Sequence, residues 1–482
     1  MASKDVRRPN FLVIVSDDQG PWALGCAGND ELQTPTLDSL AEDGTRLDRF
    51  FCASPVCSPA RGSLLTGRMP SAHGVHDWIR GEAWGVADEA DVEYLEGLTT
   101  TPEVLAGAGW VCGYSGKWHL GAGRQPAPGF DFWYAHRTGD GPYFGAPVWR
   151  AGRRVSEPRY LTDAITEEAL SFLHGPGAGE EPFYLSVNYT APHSPWVGQH
   201  PKYRLDLYDD CDFASCPQEA AHPWFSWEPG PVSDAVSDPR PSLQGYFASL
   251  SAMDAGIATL LAHLDAAGLR EHTVVIFTSD NGFSCGQHGI WGKGNATWPI
   301  NLWENSVRVP AIVRWPGQVP ANVVRNALVS ACDLHPTLLD LAGLDPPEDP
   351  YAAGRTVAPL LRGETGDNGR ETVLVFDEYG GTRMVRSTAW KYVCRAADGP
   401  EELYNLTDDP EEHHNLASEP SCRSTVLELQ AELRDWFAGH VDPRLDAWHR
   451  PVSGRGQLQP VGAAANDTAL YYSGENERRH RL

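Results

Sequence analysis

Two short apolar runs in this chain each end, after one serine, in a pair of acidic or amide residues. The runs and their polar pairs are 11–15 with Asp17 and Asp18, and 273–278 with Asp280 and Asn281. Continuous rather than alternating hydrophobicity is typical of strands buried on both faces of a parallel sheet that helices cover. Because parallel strands end at one edge of a sheet, both pairs are expected in a single ligand-binding cleft.

The segments between such runs have the spacing of amphipathic helices. Predicted helices span 35–44, 162–173 and 243–264, and a further apolar run at 183–187 predicts another buried strand. Strands that alternate with helices predict an α/β layered domain. We assign residues 1–365 to this domain.

After about residue 365 the pattern changes to short strands with tight turns, followed by a helix. The predicted strands are 372–376, 383–386 and 390–395, and the predicted helix is 426–437. This order predicts a smaller α+β subdomain at 366–450, an antiparallel sheet with one helix. Residues 451–482 are polar and glycine-rich, and form a tail that is either disordered or wrapped over the core.

The composition excludes several classes of partner. Among 482 residues, 64 Asp and Glu outnumber 38 Lys and Arg, for a net charge of −26, which argues against binding nucleic acid or an anionic membrane. No run reaches the roughly 18 apolar residues that a membrane span requires. Ten cysteines without zinc-ligand spacing, and no signal-peptide pattern, lead us to expect reduced thiols and a cytoplasmic protein. The oligomeric state is not predicted.

The four polar residues at the strand ends offer a set of hard oxygen donors. Asp17, Asp18, Asp280 and Asn281 would suit Ca²⁺ or Mg²⁺ rather than zinc if they share one cleft. The alternative is that each pair caps the following helix. Because two strands each end in two adjacent oxygen-bearing residues, we favour the metal site.

Cys57-Ser58-Pro59-Ala60-Arg61 has the pattern of a helix N-terminus, where free N–H groups favour anions. Arg61 would lie one turn beyond Cys57, beside it. A cysteine in this position is either a reactive thiol with a lowered pKa or a packed small hydrophobe.

Cationic side chains stand among glycine and proline residues, in loops suited to present them to a ligand. They are Lys117, His119, His193 and Lys293. His76, Asp77 and Arg80 follow the helix of Cys57 and are candidate readers of substrate hydroxyl or carboxylate groups. The long stretch 198–241 has few regular patterns, and we expect a lid or pocket wall there.

Several of these motifs together resemble the type I, formylglycine-dependent sulfatases of the alkaline-phosphatase-like superfamily. Residues 57–61 match the family's Cys-x-Pro-x-Arg signature, and Gly116-Lys117-Trp118-His119-Leu120-Gly121 matches its second signature. Further motifs in the family's order are Asp17-Asp18, Ser279-Asp280-Asn281-Gly282, Lys293, Arg308-Val309-Pro310, and 402–406 followed by 409–411. The resemblance covers about residue 9 to residue 440.

The resemblance implies a large, mostly parallel mixed sheet between helices, and sulfate-ester hydrolysis by a formylglycine made from Cys57. A formylglycine-generating enzyme would be the maturation partner. The hydrated aldehyde would attack sulfur, form a sulfated enzyme intermediate and later expel sulfate. The resemblance implies that Ca²⁺ (or Mg²⁺) is bound by Asp17, Asp18, Asp280 and Asn281 together with position 57. It also implies that Arg61 and Lys117 bind the diol and that His119 acts as the base. Sulfate would be contacted by His193 and Lys293.

Three functions remain open at this point. The favoured one is a sulfatase acting on a sulfated carbohydrate or an aryl-like ester. A phosphonate monoester or phosphodiester hydrolase of the same superfamily is the second, and a catalytically silent metal or glycan binder with an unmodified Cys57 is the third. The acidic exterior would mildly repel long polyanions, which favours a small or terminal sulfated sugar.

Overall fold

The computed structural model describes residues 8–80, 92–136, 138–225, 230–364, 369–377, 381–396, 399–450, 452, 454, 456–462 and 470. Its strands are β1 (Asn10–Ser16), β2 (Thr45–Phe51), β3 (Val111–Lys117), β4 (Phe132–His136), β5 (Ala146–Arg150), β6 (Arg153–Glu157), β7 (Phe183–Asn188), β8 (Thr273–Ser279), β9 (Ser284–Cys285), β10 (Trp291–Gly292), β11 (Arg308–Val309), β12 (Ala311–Arg314), β13 (Val323–Ser330), β14 (Thr372–Asp377), β15 (Thr382–Ser387), β16 (Trp390–Arg395) and β17 (Glu402–Asn405). Its helices are α1 (Pro35–Glu42), α2 (Cys57–Thr66), α3 (Pro70–His73), α4 (Thr101–Gly107), α5 (Leu161–His174), α6 (Lys202–Leu205), α7 (Pro231–Ser237), α8 (Pro239–Ala266), α9 (Glu304–Val307), α10 (Leu334–Leu341), α11 (Ala358–Arg362) and α12 (Arg423–His440).

Within these ranges, eleven strands form one large mixed sheet. Its order is β11-β2-β12-β8-β1-β7-β3-β4-β5-β6, and β13 pairs with β2. The centre, from β8 through β1, β7 and β3 to β4, is parallel. Antiparallel pairs lie on both sides of it, β12 with β8 and β5 with β4. The predicted α/β fold with a mixed sheet is confirmed.

Side chains along β1 alternate between two hydrophobic cores, because successive residues of a strand point to opposite faces of the sheet. Val13 and Val15 belong to one core, together with side chains of α2, α4 and α10. Leu12 and Ile14 belong to the other, together with α1, α5 and α8. Every residue of β1 is buried. Helices on both faces therefore explain why the run is continuously apolar.

In the larger domain, the helices predicted from apolar spacing are present as α1, α5 and α8, and the helix predicted from Pro59 is present as α2. Among the described residues, α8 alone is long and apolar enough to cross a membrane by length and composition. However, 67% of its most apolar window is buried, as in the core helix of a soluble protein. This helix packs into the core that contains Leu12 and Ile14.

A second sheet, β14-β15-β16-β17, is antiparallel throughout and packs against α12. Val426, Leu429 and Leu433 face this sheet, as their spacing predicts. Phe437 completes the buried stripe, whereas Trp436 is only partly buried and stacks on His440. The predicted α+β subdomain is therefore present, although its limits at 366 and 450 stay a prediction.

A buried ion network joins this subdomain to the larger domain. Lys391 Nζ lies 2.9 Å from Glu304 Oε1 and 2.6 Å from Glu412 Oε1. The backbone N–H of Glu304 donates to the second carboxylate oxygen of Glu412 at 2.6 Å. Burial, together with the nearby Glu304 charge, raises the pKa of Glu412 to about 7 despite the opposing effect of Lys391.

We expect Glu412→Gln to remove a pH dependence of stability. Between pH 4.5 and 7 the folded state keeps a proton on Glu412 that the unfolded chain has released. The free energy of unfolding therefore falls as pH rises through this window, by up to about 3 kcal/mol. Urea unfolding at pH 5 and pH 7 should show a smaller decrease in the variant than in the parent. The exposed neighbour, as Glu411→Gln, is the matched control, and an unchanged slope in the Glu412 variant would contradict this assignment.

Candidate active site

The polar residues that follow β1 and β8 meet at one edge of the large sheet. The strands are parallel neighbours whose last residues, Ser16 and Ser279, are paired. The Asp18 N–H donates to Asp280 Oδ1 at 3.3 Å, and Asn281 Nδ2 donates to Asp18 Oδ1 at 2.7 Å. The shared cleft expected from the sequence is therefore formed.

Helix α2 brings Cys57 and Arg61 to the same edge. Cys57 is the first residue of the helix, and its Sγ lies 3.5 Å from Asp17 Oδ1. One turn later, the Nε and Nη2 atoms of Arg61 lie 3.0 and 2.9 Å from Asp280 Oδ2. The thiol thus lies directly beside the acidic strand ends.

Two lysines complete the centre from different strands. Lys117, the last residue of β3, donates to the Asp17 carboxylate. Lys293, just after β10, contacts the Asp18 carboxylate, and its Nζ lies 2.7 Å from Cys57 Sγ. Gly116 leaves room for this packing, because a Cβ at its φ of +122° would lie 1.9 Å from the Asn188 carbonyl oxygen.

His193 reaches the centre from the loop after β7. Its Nε2 lies 3.6 Å from Asp18 Oδ2, and its Nδ1 lies 2.7 Å from the Ser194 carbonyl oxygen. Because a carbonyl oxygen can only accept, the Nδ1 atom carries a proton. The hydroxyl of Tyr143 donates to the His193 carbonyl at 2.8 Å and fixes the loop.

Each of the three buried carboxylates faces a cationic side chain. Burial alone would raise the pKa of Asp17, but Lys117, His193, Arg61 and Lys293 together hold it well below the usual value. Burial and the neighbouring Asp17 charge leave the pKa of Asp280 raised, although Arg61 opposes this. The pKa of Lys293 is raised well above its usual value, because Asp18 and Cys57 outweigh the effect of burial.

The donor set fits a hard divalent cation. Ligand atoms of Asp17, Asp18, Cys57 and His193 lie within 4.8 Å of one another. Among the described residues, the buried Asn281 Oδ1 has no hydrogen-bond partner, as expected of an oxygen that is free to bind a metal. Asp280 lies outside this four-residue group and accepts a hydrogen bond from Arg61 Nε, and its role as a metal ligand stays a prediction.

The Sulfatase family model matches residues 9–344, the part of the chain that carries every side chain of this centre. The chain belongs to the sulfatase family. A second model, for the C-terminal region of N-sulphoglucosamine sulphohydrolase, matches residues 286–438. As a member of this family, the protein is a sulfuric ester hydrolase.

Curated relatives align along most of the sulfatase. The ulvan-active sulfatase of Formosa agariphila is 29% identical over 455 residues, which cover 89% of this chain and 81% of the relative. The N-acetylgalactosamine-6-sulfatase of Sus scrofa is 32% identical, with 80% of this chain and 71% of the relative covered.

Solved structures share the fold. A complex of a protein with its substrate D-glucosamine-2-N,6-O-disulfate superposes with a TM-score of 0.73 at 23% identity, covering 90% of this chain and 98% of the other. A phosphonate monoester hydrolase of Agrobacterium radiobacter reaches 0.66 at 20% identity, with 90% and 96% covered. The fold alone therefore does not separate sulfate from phosphonate esters.

The structure favours the second of the two alternatives for the unmodified Cys57, a packed thiol over a reactive one. A helix N-terminus would lower its pKa, but burial and the adjacent Asp17 carboxylate raise it to about 12, against the pull of Lys117 and Lys293. The unmodified thiol of the sulfatase is therefore protonated at neutral pH and is a weak nucleophile.

His119 lies beside the centre, with Nε2 2.9 Å from the Ile79 carbonyl oxygen. Burial, and then the Lys117 charge, hold the pKa of His119 well below its usual value. Among the described residues its buried Nδ1 has no hydrogen-bond partner. A neutral imidazole with one free nitrogen is equipped to accept a proton.

The three residues predicted to bind substrate lie against residues 456 and 457 of the C-terminal tail. His76 and Asp77 are fully buried, and Arg80 is nearly so. Asp77 accepts from the N–H groups of Trp78 and Gly456, at 2.7 and 3.0 Å. Substrate binding by these three residues stays a prediction.

Sequence reasoning missed two further residues of the centre. Asn188 ends β7 and accepts from Arg61 Nη1 at 3.2 Å, and the buried His136 on β4 is paired in register with Lys117. Asn188 directly follows the apolar run 183–187, so the pattern that identified Asp17 and Asp280 applied to it as well. His136 carries no such signal.

The stretch 198–241 packs beside the catalytic centre. The His222 N–H donates to the Gly289 carbonyl at 3.1 Å, and the Trp298 N–H donates to the Trp224 carbonyl at 2.8 Å. It thus contacts the segment that carries Lys293 from both sides of that residue. Residues 226–229 lie outside the described residues, and the role of the stretch as a lid or pocket wall stays a prediction.

Proposed function

We propose that this sulfatase removes sulfate from a small sulfated sugar or from the end of a sulfated carbohydrate chain. The observation that carries the proposal is the meeting of Cys57, three carboxylates and three buried cations within one pocket at the sheet edge. The names of the relatives, an N-acetylgalactosamine-6-sulfatase and an ulvan-active sulfatase, support a carbohydrate substrate. The net charge of −26 disfavours long polyanions.

The signature at residues 57–61 supports maturation of Cys57 to formylglycine by a generating enzyme. Formylglycine supplies a hydrated aldehyde, whose oxygen is a better nucleophile toward sulfur than a protonated, buried thiol. Asp17 and Lys293, the groups nearest Cys57 Sγ, are positioned to orient a hydroxyl that replaces it.

The residues that would hold a calcium ion are Asp17, Asp18, Asp280 and Asn281. Mg²⁺ is the alternative ion for the same site. Such an ion supplies positive charge that stabilises an oxyanion. Asn281 Oδ1 supports this proposal, because it is buried without a partner among the described residues. Matured protein that contains no bound divalent cation by elemental analysis would overturn it.

The buried cations would stabilise the charge that develops on sulfate as the ester bond breaks. Arg61 is held rigidly, because it also donates to the Lys117 carbonyl at 2.9 Å and to Asn188. Lys117 approaches from the end of β3, and Lys293 from the residue directly after β10. Fixed charges in a site shielded from water stabilise a transition state without reorganisation.

One group of the centre would accept a proton during the reaction, and another would donate one. His119 is kept neutral by burial and by Lys117, so that its Nδ1 can accept a proton from the hydroxyl at position 57. His193 or Lys293 would donate a proton to the leaving alcohol oxygen.

The test uses protein co-expressed with a formylglycine-generating enzyme, with formylglycine verified by peptide mass spectrometry. Sulfate and phosphate esters of one aryl alcohol are compared first, and then sulfated monosaccharides, including 6-O-sulfated N-acetylgalactosamine. We expect kcat/KM for the sulfate ester to be at least about 100-fold higher, equivalent to about 2.7 kcal/mol. Faster turnover of the phosphate ester would favour the phosphonate or phosphodiester hydrolase. No turnover by matured protein would favour the silent binder.

A further inference from the structure

The C-terminal segment 456–462, here called the strap, lies across the loop 74–80. Gln457 is the central residue of this contact and is fully buried. Its N–H donates to the Trp78 carbonyl at 2.7 Å, and its carbonyl accepts from the Arg80 N–H at 3.1 Å. The pairing of Ile79 with Gln457 forms a parallel β-bridge.

The side chain of Gln457 extends the same contact. Its Oε1 accepts from the N–H groups of His76 and Asp77, at 2.8 and 3.4 Å. Its Nε2 donates to the carbonyls of Gly74 and Gln459, at 3.0 and 2.9 Å. A buried amide with both ends satisfied rigidifies the backbone around it, because every bond that is lost leaves an unsatisfied group.

The loop held by the strap contacts the catalytic centre through the backbone of Ile79. Its N–H donates to Ser58 Oγ at 3.1 Å, next to Cys57. Its carbonyl oxygen lies 2.9 Å from His119 Nε2. Since a carbonyl oxygen only accepts, Nε2 carries the proton of the neutral ring and Nδ1 carries the free lone pair.

We propose that Gln457 is a positioning residue, which sets the tautomer and orientation of His119 by fixing the Ile79 carbonyl. The strap thereby completes the active site, although it follows the C-terminal subdomain in the chain. The inference rests on the proposed role of His119 as the proton acceptor. It assigns no contact between Gln457 and substrate.

A double-mutant cycle tests this inference on the matured, full-length enzyme. Gln457→Met keeps a similar length but loses the four side-chain hydrogen bonds. We expect kcat to fall about tenfold, with KM changed less than about threefold, because a misplaced base is a loss in the chemical step. In the His119→Ala background the same substitution should have no further effect on kcat. Gln459→Met, at an exposed strap position, is the matched control and should behave like the parent.

The outcomes separate the inference from the function on which it rests. An equal loss of kcat from Gln457→Met in both backgrounds would overturn the inference and leave the role of His119 intact. Full activity of His119→Ala would overturn both. If Gln457→Met does not fold, Gln457→Glu takes its place, because it keeps the acceptors for His76 and Asp77 and faces the Gly74 carbonyl with an oxygen. That variant should also lose kcat only when His119 is present.

Discussion

Cys57→Ala will be folded and stable, with no measurable sulfatase turnover. The Sγ position lies between Asp17 and Lys293, where the reacting oxygen of the matured residue would stand. Removing a nucleophile costs on the order of 10⁶ in kcat in a well-studied hydrolase. Initial rates with an aryl sulfate, at high enzyme concentration, measure the residual activity.

Cys112→Ala is the control for this substitution. Cys112 is also a buried free thiol, but it lies at the start of β3, among backbone carbonyls and away from the centre. It should keep the parental kcat. Turnover by Cys57→Ala above the uncatalysed rate would reject residue 57 as the source of the nucleophile.

Arg61→Ala will lose both turnover and stability. The guanidinium neutralises Asp280 and lies 3.7 Å from Asp17, and both carboxylates are fully buried. Removing one member of a buried ion pair costs about 3–5 kcal/mol, because an uncompensated charge remains in the interior. The free energy of unfolding, measured by urea denaturation of protein with or without formylglycine at position 57, checks this value.

Arg270→Ala is the matched control for the loss of an arginine. Arg270 also pairs with carboxylates, Asp43 and Asp265, but its ion pairs lie at the surface. Exposed ion pairs contribute about 0–1 kcal/mol, so this variant should unfold near the parental midpoint. Equal stability of the two variants would show that the buried pair around Arg61 is not stabilising.

The strand ends were predictable because the pattern is local. Asp17 and Asp280 each follow an apolar run, and the rule that parallel strands end at one edge brings them together without any knowledge of the connections. The lysines and histidines could be singled out by their glycine- and proline-rich surroundings, but their roles came only from the family resemblance, since their meeting depends on how distant segments of the chain pack together. The start of helix α2 was also predictable from the local sequence, because Pro59 favours the first turn of a helix and so indicates that the helix begins near Cys57.

The properties that were not predictable depend on burial. A helix N-terminus suggests a low pKa for Cys57, but exclusion of water and the adjacent Asp17 reverse the direction. His76, Asp77 and Arg80 follow the catalytic helix in sequence, yet the strap covers them. Its central contact joins residues 79 and 457, and a polar tail carries no periodic signal that would indicate such a distant partner.

The central strand β1 has little tolerance for substitution. Each apolar side chain from Phe11 to Val15 supports one core or the other, and the two residues directly after the strand are acids of the reaction centre. A substitution at one of these apolar positions would therefore disturb both the packing of a core and the position of Asp17 and Asp18. We therefore expect substrate specificity to change through substitutions in the loops that border the site, because such substitutions do not destabilise the sheet.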